Sequence, residues 1–142
     1  MIHFQLVALS GTKYDDDVYE VILPTLDGEI GVLQDHMPLV SVASTGAIAV
    51  RRDPKDSDGA RDFFAISGGV IEVSDNTLRV LVDEADHADD INEAEVEAAM
   101  ERAVALKAEA KDQVSLDHAQ QLVDRHAVRL QVAGLKKRHQ KH

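Results

Sequence analysis

The sequence predicts an α+β chain, an N-terminal antiparallel β-sandwich followed by a C-terminal α-helical hairpin. Two observations carry that expectation. As far as residue 90 the chain is a series of short apolar runs, punctuated by glycine, proline, asparagine and aspartate, with no long helical period among them. From Asn92 onward the apolar residues recur at helical spacing. The expected division is a sandwich over 1–86 and a helical arm over 87–142.

Ile2 to Leu9 alternates, with Phe4 and Leu6 on one face and Gln5 on the other, which fits a half-buried strand ended by Gly11. Asp15-Asp16-Asp17 reads as a solvated turn before a second strand, Val18 to Leu23. The stretch from Leu23 to Ile48 then organises the domain. Gly28 and Gly31 bracket Glu29 and Ile30, and because glycine reaches positive φ cheaply, two close turns are expected with Glu29 at an exposed loop tip. Pro38 fixes its own φ and extends Met37, so Asp35 to Pro38, including His36, forms a stiff connector between short apolar runs.

Ala47 to Arg52 reads as a strand that stops before Asp53-Pro54. The segment after it has a superficial likeness to a calcium loop through Asp56, Asp58 and Gly59. Pro54 and Ala65 fall where two ligands would be needed, so no metal site is expected. Asp62 to Ile66, Gly69 to Val73 and Leu78 to Val82 read as three more strands, the last two joined by a tight turn through Asp75 and Asn76. Asp83, Glu84, Asp86, Asp89 and Asp90, with His87 among them, read as a solvated hinge.

In the arm, Val96, Ala99, Met100, Ala103, Leu106 and Ala110 form one stripe, and Asn92 with Glu95 resembles a capping box. Asp112 to Ser115 makes a turn, Ser115 is the expected cap of the next helix, and Leu116, Ala119, Val123, Ala127 and Leu130 supply its apolar face. Stripes so rich in alanine bury little apolar area. The arm should therefore hold the sandwich weakly and be able to move. Lys136, Lys137, Arg138 and Lys141 place positive charge at the end of the last helix, where the helix dipole favours it.

Composition narrows the function classes. With 26 acidic against 15 basic residues the formal net charge is −11, which argues against nucleic acid and anionic lipid as partners. No cysteine is present, so disulfides and thiolate metal sites are excluded. The longest uncharged stretch, Met37 to Val50, is too short and too polar to span a bilayer, and no signal peptide is expected at the N-terminus. No phosphate-binding loop, zinc-protease helix or nucleophile elbow is found. The seven histidines are scattered along the chain, and no catalytic residue or cofactor is expected.

The run Asp27-Gly28-Glu29-Ile30-Gly31-Val32-Leu33, with His36 and Pro38-Leu39, is followed by Ser67-Gly68-Gly69, Glu72-Val73 and Leu81 to Ala85. In order and spacing this resembles the epsilon subunit of F-type ATP synthases, specifically from Phe4 to Asp90 and more loosely to Lys137. Gln34-Asp35 stands where that family usually has Pro-Gly, so a differently shaped turn is expected before His36.

The resemblance implies a non-catalytic subunit of a rotary, proton-translocating complex, peripheral at the cytoplasmic face of the cell membrane. One sandwich face would grip the gamma subunit, and Glu29 and His36 would meet the c-ring. The arm, through Arg125, Arg129, Lys136, Lys137 and Arg138, would reach the alpha/beta catalytic head and block ATP hydrolysis. Some family members bind ATP on this arm. Here the motif aspartate is Asn92 and the motif arginine is Glu95, while Arg102, Arg125 and Arg129 remain, so weak or no nucleotide binding is expected. A free-standing nucleotide-sensing module is the alternative reading.

Overall fold

The computed structural model describes residues 1–57 and 60–140, except for the side chains of 137–140. The strands are β1 (Ile2–Ala8), β2 (Gly11–Val18), β3 (Glu20–Thr25), β4 (Gly28–Leu33), β5 (Leu39–Arg51), β6 (Asp62–Ser74), β7 (Thr77–Val82) and β8 (Ala85–His87). A 3-10 turn, Ala88–Asp90, leads to α1 (Glu93–Glu109) and α2 (Gln113–Gln140). Hydrogen bonding runs in the order β2-β1-β7-β6-β5-β3-β4, with β8 added to β6. All pairings are antiparallel except β1 with β7, which is parallel.

That single path makes two layers because β5 and β6, each of 13 residues, serve both. Leu39 to Ala43 pairs with Gly69 to Val73 beside β7, whereas Thr45 to Val50 pairs with Asp62 to Ser67 beside β3 and β8. The strands separately expected at 62–66 and 69–73 are thus one strand, bent at Gly68 and Gly69, with φ of 89° and 157°. Inward side chains of both layers, including Phe4, Leu6, Val21, Ile48, Phe64 and Val80, form one core cluster.

Alternation dictates most of the strands. In β1 the even positions from Ile2 to Ala8 are buried and the odd ones are not, as the pattern requires. Asp15-Asp16-Asp17 lies inside β2 rather than in a turn, because Tyr14 and Val18 on either side bury their side chains and carry the acids along a strand. β2 ends the sheet path, and acids on an exposed edge discourage pairing with another chain.

The Asp75-Asn76 turn has φ of 49° and 58°, the geometry of a two-residue hairpin connection. Asn92 caps α1 by accepting the Glu95 N–H at 3.2 Å. Asp112, rather than Ser115, supplies the side-chain bond at the start of α2, accepting the Ser115 N–H at 2.7 Å.

A Cβ at Gly69 would stand 2.1 Å from the Leu81 carbonyl oxygen. The Gly69→Ala chain is therefore expected to lose about 3 kcal/mol or more of stability, read as a lowered urea midpoint.

Candidate functional site

The organising stretch is built around two turns at opposite ends of β4. At its start, the buried Thr25 hydroxyl donates to the Gly28 carbonyl at 2.5 Å and accepts the Asp27 N–H at 3.2 Å, closing the β3–β4 hairpin. Glu29 is exposed, one residue inside β4 and opposite Pro24.

Beyond the other end, the His36 N–H reaches the Leu33 carbonyl at 3.2 Å and its Nδ1 donates to the Met37 carbonyl at 2.8 Å. Asp35 adopts φ of 62°, the left-handed conformation a glycine would take without cost. Asn76 fastens this end: its Oδ1 accepts the Asp35 N–H at 3.0 Å and its Nδ2 donates to the Met1 carbonyl at 2.9 Å. Between Glu29 and Leu33 lies roughly 13 Å of strand. Glu29 and His36 are therefore not brought together.

The outer face of the first layer carries an apolar row that alternation and register assemble. Val42 pairs with Val70 and Val70 with Leu81, and their side chains are 52%, 46% and 46% exposed. Val40, on the same face of β5, is 75% exposed. The next row is polar, with Glu72 opposite Arg79 and Arg79 opposite Gln5, whose Oε1 accepts from Arg79 Nε at 3.2 Å. A bare row of this kind beside a polar one has the makeup of a protein-contact surface.

The outer face of the second layer is covered by the arm. Phe63 and Ala65 of β6, Ala47 and Ala49 of β5, Ala88 and Ile91 form a shallow trough that receives Val128, Val132 and Leu135 of α2. Four consecutive residues, Phe63 to Ile66, are consequently buried, the mark of a strand covered on both faces. The expected α2 stripe is only partly used, since Ala119 is buried but Ala127 is exposed and Val132, outside the expected set, is fully buried. In α1, Val96 and Ala103 are buried, but Leu106 is 50% exposed.

Three of the arm's cations are engaged. Arg125 pairs with Glu84, Arg129 Nε lies 3.1 Å from Asp86 Oδ2, and Lys136 pairs with Asp89. The acidic segment read as a solvated hinge is instead an ordered strand and 3-10 turn against which α2 lies. It was missed because opposite charges some 40 residues apart carry no local signal. The side chains of Lys137 and Arg138 lie outside the described residues, as do Asp58 and Gly59 of the rejected calcium loop. Among the described residues no cluster suited to a metal ion is found.

Of the nucleotide candidates, Asn92 is occupied in capping α1, Glu95 and Arg102 are exposed, and Arg125 and Arg129 already hold carboxylates. A crevice of about 430 Å³ between the sandwich and α2 is lined by Asp83, Glu84 and Asp124 as well as Arg125. That charge balance repels a triphosphate.

Comparison with known proteins gives a consistent picture. Residues 1–88 match the family described as ATP synthase, Delta/Epsilon chain, beta-sandwich domain. An ATP synthase epsilon chain of Chloroflexus aggregans is 34% identical over 136 residues, 96% of this chain and 94% of that one. One of a Roseiflexus species is 39% identical over 98 residues, covering 69% and 67%.

Two solved assemblies contain chains of similar fold. A chain of the Euglena gracilis mitochondrial ATP synthase OSCP/F1/c-ring structure aligns with a TM-score of 0.76 at 22% identity, covering 94% of this chain and 81% of that one. A chain of the Tetrahymena thermophila mitochondrial ATP synthase central stalk/c-ring structure aligns at 0.58 and 14% identity, covering 92% and 95%.

The surroundings shift the pKa of two histidines in opposite directions. Burial, with Arg129, Arg125 and Arg102 nearby, pushes His126 below its ordinary 6.5. Bonds to Asp17 at 2.8 Å and Asp15 at 2.6 Å raise His3 above the same value. The folded chain prefers neutral His126, so that contribution is complete above pH 6.5 and is lost as pH falls through the folded value. The His3 contribution is complete below pH 6.5 and is lost as pH rises through its folded value. Imidazole NMR titrations should place His126 below 6.5 and His3 above it, and His126→Gln should flatten the acid-side loss of thermal stability.

Proposed function

The chain belongs to the ATP synthase delta/epsilon-chain family, and on that premise we propose that it works as a non-catalytic epsilon chain of an F-type ATP synthase. It sits in the central stalk, peripheral at the cytoplasmic face of the cell membrane, where it couples rotation of the c-ring to the gamma subunit and the catalytic head. Among the described residues no helix is long and apolar enough to cross a membrane. The sandwich, 1–86, is the coupling piece and the arm, 87–142, the regulatory one.

The observation that carries this reading is the bare apolar row Val42, Val70 and Leu81, with Val40 exposed beside it, on the layer facing away from the arm. A gamma subunit seated there leaves the arm's side of the sandwich unobstructed. For the ring, Glu29 beside the β3–β4 hairpin tip is the favoured contact. Leu26 at that tip is 74% exposed and adds apolar area to the charge. A ring contact through His36 would have to use the opposite end of β4.

The arm is the candidate brake on ATP hydrolysis. In the docked position Arg125, Arg129 and Lys136 are paired with carboxylates of the same chain, so contact with an acidic surface of the head requires undocking. With Asn92 and Glu95 in the nucleotide motif and both arginines paired, nucleotide does not set the arm's position.

Reconstitution with the cognate gamma subunit, catalytic head and c-ring tests these assignments. Val70→Asp should weaken gamma binding at least about tenfold, or about 1.4 kcal/mol, by placing a charge in an apolar contact. Arg125→Ala with Arg129→Ala should assemble normally but leave ATP hydrolysis faster than with the parent chain; equal hydrolysis would remove the brake. A cysteine replacing Glu29, in a chain that has no other, should cross-link to the c-ring once labelled with a photoactivatable maleimide, and one replacing His36 should not.

A further inference from the structure

The three ion pairs between arm and linker share a geometry that their separate descriptions do not bring out. Glu84, Asp86 and Asp89 advance along the linker in the same order as Arg125, Arg129 and Lys136 advance along α2. Two residues of extended chain rise about 6.6 Å and four residues of helix about 6 Å, so the first two pairs are in register. The third pair follows after three linker residues, part of them in the 3-10 turn, and seven helical ones. Strand and helix run side by side in one direction with their charges matched.

We propose that residues 84–89 are a ligand in cis for the arm: an acidic segment, part strand and part 3-10 turn, that clasps α2 by ionic pairing and whose displacement is the step that frees the arm. The trough beneath α2 is built largely of alanines, so packing holds the docked state only modestly and these charges add measurably to it. The paired side chains are between 22% and 58% exposed, which leaves them open to screening by salt and to competition. Any acidic segment that takes up Arg125 and Arg129 must first displace Glu84 and Asp86. The clasp is a property of this chain alone and stands apart from whether the arm brakes hydrolysis.

The net charge makes the test decisive. In a chain of −11, removing acids or adding salt relieves general self-repulsion and would tighten the compact state. A clasp predicts the reverse. In the full chain, hydrogen exchange at the α2 amides of residues 125–136 is compared with exchange at Val80 in the sandwich. Glu84→Gln, Asp86→Asn and Asp89→Asn together should lower α2 protection about tenfold, on the order expected for three partly exposed pairs, while Val80 stays protected.

Raising NaCl from about 0.02 M to about 0.5 M should lower α2 protection several-fold in the parent chain and leave the triple variant unchanged. Protection that is unchanged or increased in the triple variant overturns the clasp. If Val80 also loses protection, the charge exchange decides: Asp86→Arg should undock α2, and adding Arg129→Asp should restore it. No restoration overturns the proposal.

Discussion

Two strands that each serve two layers are the constraint on which this structure rests. A strand can leave one layer and enter the next only if its backbone bends without losing its partner, and here β5 and β6 bend together around Gly68 and Gly69. The Leu81 carbonyl occupies the space that any side chain at Gly69 would need. Everything outside the corner follows from it. The first half of β6 is presented to the arm, the second half to β7, and the two outer faces of the sandwich are given different characters by one pair of strands.

Those two faces divide the work. One keeps valines and a leucine uncovered beside a polar row. The other sinks small residues beneath α2, so that Val132, fully buried, contributes roughly 1.5–3 kcal/mol while most of its neighbours contribute less. α1 packs chiefly against α2 rather than against the sandwich. The docked arm is thus held by modest packing and by charges at its rim.

Much of this was legible in the sequence, for physical reasons that differ from element to element. β1 could be read because its alternation is unbroken, and α1 because Asn92 announces its start. The Asp75-Asn76 turn could be read because few residue pairs tolerate two positive φ values in succession. The acid run in β2 misled, since charge suggests a turn whereas Tyr14 and Val18 decide for a strand. Glu29 and His36 look like one site when only seven residues separate them, yet a strand between them carries them apart. Asp62 to Ile66 could be read as a strand, but not as one covered on both faces, because the α2 residues that cover it lie far along the chain. The linker's acids could not be assigned because their partners lie on a helix far along the chain, and pattern within a window cannot see them.

The parallel pairing of β1 with β7 bears on the order of events as the chain is made. Ile2 to Ala8 leaves the ribosome well before its central neighbour, Thr77 to Val82, which follows after most of the sandwich has been synthesised. Until then β1 has β2 alone, and a two-stranded hairpin is marginal in water. Closing the core is therefore a late, long-range event, slow by the same entropy that makes any distant pairing slow. The acidic linker emerges directly behind β7, so the place where α2 will lie is finished before α2 itself exists.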